Sequence, residues 1–167
     1  MPPLSPFSRP LHLRLYPAAV LRRQAVGFDA FGGPAESLAA AMLSLMRRRH
    51  GIGLAAPQVG LSVRLLVADI GEGAVVLANP EVVPLPGNEI AAEGCLSLPG
   101  VSVEVARARA IEVAGMDLAG RPQRFVARGL LARVLQHETD HLDGILIIDR
   151  AVPATKPPPA PLAPPFL

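Results

Sequence analysis

Proline separates this chain of 167 residues into a central segment that can fold and two ends that cannot form regular secondary structure. Four of the 19 prolines lie in the first ten residues and seven in the last seventeen. Proline fixes φ and lacks an amide proton, so such runs favour extended polyproline conformations and exclude a helix. The pattern therefore predicts a flexible N-terminal arm over residues 1–14, a folded domain over 15–150 and a disordered tail over 151–167.

The composition is typical of a single globular domain. Half of the residues are apolar and 18% are charged, which argues against a disordered chain. The single cysteine excludes an intrachain disulfide and indicates a reducing compartment. No apolar run reaches the roughly 18 residues of a membrane-spanning helix, and the first residues lack a signal-peptide pattern. We therefore expect a cytoplasmic protein without a membrane partner.

The charge pattern does not indicate a nucleic-acid site. Sixteen cations face 14 anions, and the densest basic cluster, residues 47–49, ends a predicted helix, where it would complement the helix dipole. Aromatic residues make up only 4% of the chain, so no platform for stacking bases is visible. We expect no sequence-specific contact with nucleic acid.

The central segment mixes strand and helix patterns. Apolar residues at helical spacing predict a helix over residues 35–50, and a second helix over 129–143 ends at Gly144. Strands are predicted over residues 61–69, 74–78, 101–105, 110–116 and 123–127. The last two flank a turn and form a hairpin. Since the helices do not alternate with the strands, the fold class is α+β rather than a doubly wound parallel sheet.

The second helix carries the strongest functional signal, His137-Glu138-Thr139-Asp140-His141. His137 and His141 are four residues apart, so both imidazoles share one helical face at the spacing that a divalent metal requires. Glu138 adjoins the first histidine and can act as a general base on a metal-bound water. The pattern predicts a metal site on this helix.

A catalytic metal needs a third protein ligand, which the spacing alone does not select. A metzincin protease would place histidine at residue 147, where this chain has isoleucine, and no glutamate follows Glu138. The candidates therefore lie upstream: His12, His50, Cys95 and several acidic residues. Cys95 is favoured because Gly94 before it permits a close backbone approach.

Small residues between Gly51 and Gln58 form a third notable segment. Its G-x-G-x-x-A pattern is similar to a dinucleotide-binding turn, but that turn follows a strand and opens a helix. Here a helix precedes the segment and a strand follows it. We interpret the segment as a tight loop whose backbone can approach a substrate and whose final amide, on Gln58, can donate to an oxyanion.

Together the three segments resemble the peptide deformylase family. GIGLAAPQ at 51–58, EGCLS at 93–97 and HETDH at 137–141 follow the family's order, and the likeness extends over roughly residues 15–149. The resemblance implies antiparallel β-sheets packed around a central helix that carries the HExxH motif. It also implies an enzyme that removes the N-formyl group from the initiator methionine of nascent polypeptides and releases formate.

The resemblance also implies a ligand set and a metal. One metal ion per chain is held by Cys95, His137 and His141. In the family this ion is typically Fe(II), and Zn, Ni or Co can occupy the same site. The donor types alone would suit zinc at least as well as iron.

By the same resemblance, metal-bound hydroxide attacks the formyl carbon while Glu138 acts as general base and then as general acid. The Gln58 amide and the backbone N–H of Leu96 stabilise the oxyanion. The backbone of Gly53 aligns the substrate. The apolar pocket for the methionine side chain is lined by Ile52, Leu130 and Val134.

The implied partners are N-formylmethionyl nascent peptides, with a transient contact to the ribosome. The proline-rich tail stands where some family members carry a charged C-terminal helix. Asp140 is expected to pair with an arginine such as Arg107.

Two alternatives compete with this interpretation. A different HExxH hydrolase, such as a peptidase, is disfavoured by Ile147 and by the missing downstream acid. A related protein that has lost activity and serves as a binding module is disfavoured because Glu138 and Gln58 are both present.

Overall fold

The computed structural model describes residues 10–153. Residues 1–9 and 154–167, most of the predicted arm and tail, lie outside the described residues. Leu11 and Leu13 pack against the core, and Ala151 forms a β-bridge with Val105. Packed structure therefore includes residues beyond the predicted domain boundaries at 15 and 150.

Antiparallel strands make up two sheets in the described part of the chain. The strands are β1 (Gly53–Ala55), β2 (Leu65–Ala68), β3 (Val75–Pro84), β4 (Asn88–Cys95), β5 (Leu98–Ala108), β6 (Ala110–Met116) and β7 (Pro122–Arg128). One sheet has five strands in the order β1-β2-β3-β6-β7, and β4 pairs with β5 in a separate hairpin. The predicted hairpin over residues 110–127 is confirmed as β6 and β7.

Three α-helices accompany the sheets within residues 10–153. They are α1 (Gly33–Arg48), α2 (Gly129–Leu142) and α3 (Ile147–Arg150). The two helices predicted over residues 35–50 and 129–143 are confirmed to within about two residues at each end. None of the described helices combines the length and apolar character needed to cross a membrane.

The five-stranded sheet lies between α1 and α2. Successive side chains of a strand point to opposite faces, and all four residues of β2 are fully buried. Leu65 and Val67 pack in a cluster with α1, whereas Leu66 and Ala68 pack in a cluster with α2. Burial of each leucine or valine side chain contributes about 1.5–3 kcal/mol, and the two clusters hold both helices to the sheet. The α+β fold predicted from the sequence is confirmed.

The β4–β5 hairpin belongs to a third cluster. Leu98 and Val105 of β5 pack there against Leu146 and Ile147 at the start of α3. This cluster docks the hairpin beside the C-terminal end of α2. The end of β4 is thereby brought to the face of α2 that carries the two histidines.

One strand was missed and one local prediction was wrong. Strand β4 was not predicted, because residues 88–95 are mostly polar or small and largely exposed, so they show no apolar alternation. The segment 51–58, interpreted as a loop, contains strand β1 followed by a 3-10 turn over Ala56–Val59. Strand β1 is only three residues long, and it forms because each of its residues pairs with a residue of β2.

Candidate metal centre and substrate cleft

Three side chains predicted as metal ligands meet at one point. Cys95 ends β4, whereas His137 and His141 lie one turn apart on α2. Their ligand atoms all lie within 4.8 Å of one another, and Cys95 Sγ is 3.2 Å from His141 Nε2. His12 and His50, the other histidines considered, are exposed and stand outside this cluster.

The cluster fits a metal ion in its donor types and in the protonation of His141. A thiolate with two imidazoles suits zinc or iron and leaves a fourth position open. Burial lowers the pKa of His141, and the charges of His137 and Arg107 lower it further. The His141 imidazole is therefore neutral, which is the form that binds a metal.

Glu138 lies beside the cluster with an unsatisfied oxygen. Its side chain is buried, and Oε2 has no hydrogen-bond partner among the described residues. Burial raises the pKa of Glu138 to about 7, although the nearby His137 charge opposes the shift. A buried carboxyl group with a pKa near neutrality can both accept and return a proton.

Glu93 orients the first histidine. His137 Nδ1 lies 3.0 Å from Glu93 Oε2, so a proton on Nδ1 leaves Nε2 free to face the cluster. Burial opposes ionisation of Glu93, but hydrogen bonds from His137 and Arg107 outweigh it and lower the pKa to about 2. Burial opposes the charge on His137, but hydrogen bonds with Cys95 and Glu93 outweigh it and raise its pKa to about 10, so a metal ion must displace the proton on Nε2.

Buried arginines hold Glu93 in place. Arg107 donates from Nε and Nη2 to the two carboxylate oxygens of Glu93, both at 3.0 Å, and from Nη1 to Asp140. Arg133 donates to Glu93 Oε1 at 2.8 Å. The predicted pairing of Asp140 with Arg107 is confirmed. The contacts of Glu93 with both arginines, and an ion pair between Arg150 and Asp140, were not predicted, because sequence spacing gives no sign of contacts between such separated residues.

Replacing Arg107 by methionine is expected to destabilise the fold by about 3–5 kcal/mol, because the buried carboxylates of Glu93 and Asp140 would lose a shared cation. Urea denaturation followed by circular dichroism measures the change. Arg22→Met, which removes an exposed ion pair with Asp149, is the control and should cost less than about 1 kcal/mol. Similar losses in both variants would contradict the interpretation.

Gln58 presents its amide donor to the cluster. Its Oε1 accepts the backbone N–H of Ala55 at 2.8 Å, which fixes the orientation of the buried amide. Its Nε2 then lies 3.2 Å from Ser97 Oγ and 3.8 Å from Cys95 Sγ. A donor held by the fold in this way needs no rearrangement to act on a developing negative charge.

A cleft of about 480 Å³ opens above the cluster. Cys95, His137 and Glu138 lie among its lining residues, together with Gly53 and Leu96. The three residues predicted to form an apolar pocket line the same cleft: Ile52, Leu130 and Val134. Val134 is buried, whereas Ile52 and Leu130 are 42% and 51% exposed, so apolar surface is available to a ligand there.

Comparison with known proteins identifies the family. A family profile described as Polypeptide deformylase matches residues 10–157. A peptide deformylase from Dictyoglomus thermophilum is 48% identical over 136 residues, which cover 81% of this chain and 89% of that protein.

Solved structures show the same likeness. A peptide deformylase from Thermotoga maritima has a TM-score of 0.84 at 40% identity. The match covers 87% of this chain and 99% of that chain. One from Synechococcus elongatus, in complex with actinonin, has a TM-score of 0.83 at 42% identity, with 88% of this chain and 82% of that chain covered. The family profile, these sequence identities and the shared fold agree: the chain belongs to the polypeptide deformylase family, enzymes that remove the formyl group from N-terminal methionine.

Proposed function

We propose that this chain is a metal-dependent deformylase of N-formylmethionyl nascent polypeptides, with Cys95, His137 and His141 as ligands of one metal ion. The convergence of these three ligand atoms within 4.8 Å, at the side of a cleft, carries the proposal. The ion we propose is Fe(II), with Zn, Ni or Co able to replace it, since a thiolate and two imidazoles accept all four.

The metal, when bound, supplies Lewis-acid activation of a water molecule near neutral pH. The protein's part in proton transfer falls to Glu138. Its unsatisfied Oε2 accepts a proton from the attacking water, and the resulting carboxyl group donates it to the amine that leaves. A pKa of about 7 suits both transfers.

Two donors stabilise the negative charge that develops on the formyl oxygen. The first is Gln58 Nε2, which Ala55 holds in place through the other end of the amide. The second is the backbone N–H of Leu96, in the turn that joins β4 to β5. Donors fixed in advance stabilise a transition state more than the ground state.

The cleft positions the substrate through backbone and apolar contacts. Strand β1 is an edge of the five-stranded sheet, so the outer edge of Gly53 is available to the main chain of a peptide. The methionine side chain packs against Ile52, Leu130 and Val134, which bury its apolar surface.

Alanine at position 53 is expected to lower kcat about 100-fold, the cost of misplacing a catalytic group by about 1 Å. A Cβ there would overlap Glu138 Oε1 and lie 2.8 Å from Val134 Cγ1, so the carboxyl group must move. Steady-state formate release measures the effect. Gly33→Ala, whose Cβ would meet no atom within 4 Å among the described residues, is the control. Unchanged kcat in the Gly53 variant would show that the Glu138 position is not critical.

We place the reaction in the cytoplasm, beside the ribosome from which formylated chains emerge. The single cysteine suits a reducing compartment. Arg48 and Arg49 are exposed at the end of α1, close in sequence to the cleft residues that begin at His50. A transient contact of such cations with ribosomal phosphates is part of the proposal.

The test is purification without oxygen, metal quantification, and an assay of formate release from a formyl-Met peptide. About one iron per chain and rapid turnover that declines in air would support an iron deformylase. Stoichiometric metal without turnover would leave the site in place and contradict the proposed substrate.

A further inference from the structure

Charged side chains form a continuous series of contacts from the protein surface to His137. Arg150 contacts Asp140, which contacts Arg107, which contacts Glu93, the partner of His137. We propose that Arg150 is a positioning residue for the metal centre, acting through the three side chains between it and the histidine. The inference rests on the ligand assignment proposed above.

The series reaches the elements that carry all three proposed ligands. Glu93 lies two residues before Cys95 on β4 and is 3.0 Å from His137 Nδ1. Asp140 directly precedes His141 on α2. A shift of Glu93 therefore releases the imidazole ring of His137, and a shift of either carboxylate weakens an ion pair that anchors the segment carrying a proposed ligand.

Arg107 is shared between the two carboxylates. It gives two donors to Glu93 and one to Asp140. Arg150 supplies the second cation at Asp140, with Nη2 2.7 Å from Oδ1 and Nε 3.1 Å from Oδ2. Without Arg150, the buried Asp140 would depend on Arg107 alone for charge compensation. Charges attract strongly where water is excluded, so Arg107 would be drawn away from Glu93.

Contacts that do not involve the ligands hold Arg150 in place. It ends α3, where Asp149 accepts the Leu146 backbone N–H at 2.8 Å and pairs with Arg22. The next residue, Ala151, forms a β-bridge with β5. Arg150 is thus held between the hairpin that carries Arg107 and the helix that carries Asp140.

The neighbouring ion pair on α3 provides a matched control. Arg22 and Arg150 are comparably exposed, at 37% and 45% of their side chains, and both pair with an aspartate. Asp149, the partner of Arg22, makes no hydrogen bond or ion pair with Asp140 or Arg107 among the described contacts. The charge of Asp149 acts on Arg150 only as the smallest of its electrostatic interactions. Removing Arg22 therefore disturbs the same short helix and keeps every ion pair of the series.

The experiment titrates the metal-free full chain with Co²⁺ against a chelator and records the visible absorption of bound cobalt, which reports coordination geometry. Arg150→Gln is expected to lower cobalt affinity up to about 10-fold, the low end of the range for losing a group bonded directly to a ligand, and to change the absorption. Arg150→Lys is expected to recover most of the affinity with an intermediate spectrum, because lysine restores charge but not the two-pronged contact. Arg22→Gln should match the unchanged chain.

Unchanged cobalt affinity and spectrum in Arg150→Gln would overturn the inference and leave the metal site standing. Equal weakening in Arg150→Gln and Arg22→Gln would also overturn it, since the effect would then be general to α3. If the chain without any substitution bound no cobalt, the ligand assignment itself would be overturned. If circular dichroism shows that Arg150→Gln is unfolded, the Arg150→Lys variant tests the inference instead. A cobalt spectrum of Arg150→Lys identical to that of the unsubstituted chain would then overturn it.

Discussion

Glutamine in place of Glu138 is expected to lower kcat about 100- to 10,000-fold, the range attributed to a general acid–base group, while the chain keeps its full metal content. The carboxamide has nearly the shape of the carboxyl group but cannot accept the proton that the mechanism assigns to Oε2. The metal stays bound because the three converging ligand atoms belong to other residues. Formate release and metal quantification on the same preparation test both halves of this expectation.

Glu36→Gln is the control for the Glu138 substitution. Glu36 lies exposed in the first turn of α1, on the opposite side of the sheet from α2, so Glu36→Gln should leave kcat unchanged. Loss of metal from the Glu138 variant would mean that this carboxyl group is itself a ligand. Activity within about threefold of the unchanged chain, far short of the expected loss, would contradict its role as general base.

Alanine at position 95 is expected to release the metal. Zinc sites with four ligands bind with about 10–16 kcal/mol, so one ligand accounts for about 3 kcal/mol, or roughly 100-fold in affinity. Turnover should fall in parallel, because the remaining two imidazoles leave the ion weakly held. Metal quantification after dialysis against a weak chelator measures the loss.

Two checks accompany the Cys95 variant. Cys95→Ser nearly preserves the side-chain volume and should also lose metal, which separates ligand chemistry from packing. Since Cys95 is the sole cysteine, a thiol reagent labels that site alone, and metal should protect it in the unchanged chain. Full metal retention by Cys95→Ala would place the third ligand elsewhere.

The sequence predicted the convergence of the proposed ligands where their spacing is encoded locally. His137 and His141 share a helical face because four residues make about one turn, and that spacing is visible without a structure. The choice of Cys95 as third ligand came from the resemblance together with the preceding Gly94. The structure brings these three side chains together, and the two α-helices and the β6–β7 hairpin also lie where periodicity predicted them.

What the sequence did not predict depends on contacts between distant residues. Arg133 and Arg150 read as ordinary surface cations. Arg133 gains the buried partner Glu93 because the β4–β5 hairpin docks against α2, and Arg150 gains Asp140 because α3 lies beside α2. Strand β4 escaped prediction for a related reason. Its backbone is held by pairing with β5 and not by an alternating apolar face of its own.

The division of the proposed ligands between two layers gives the proposed metal site a diagnostic value. Cys95 comes from the two-stranded hairpin, whereas both histidines come from a helix packed on the other sheet. A chain in which the hairpin has detached holds only a pair of imidazoles. The capacity to retain an ion is therefore expected to report whether the hairpin is docked against the helix, and a preparation's metal occupancy to count the molecules in which it is.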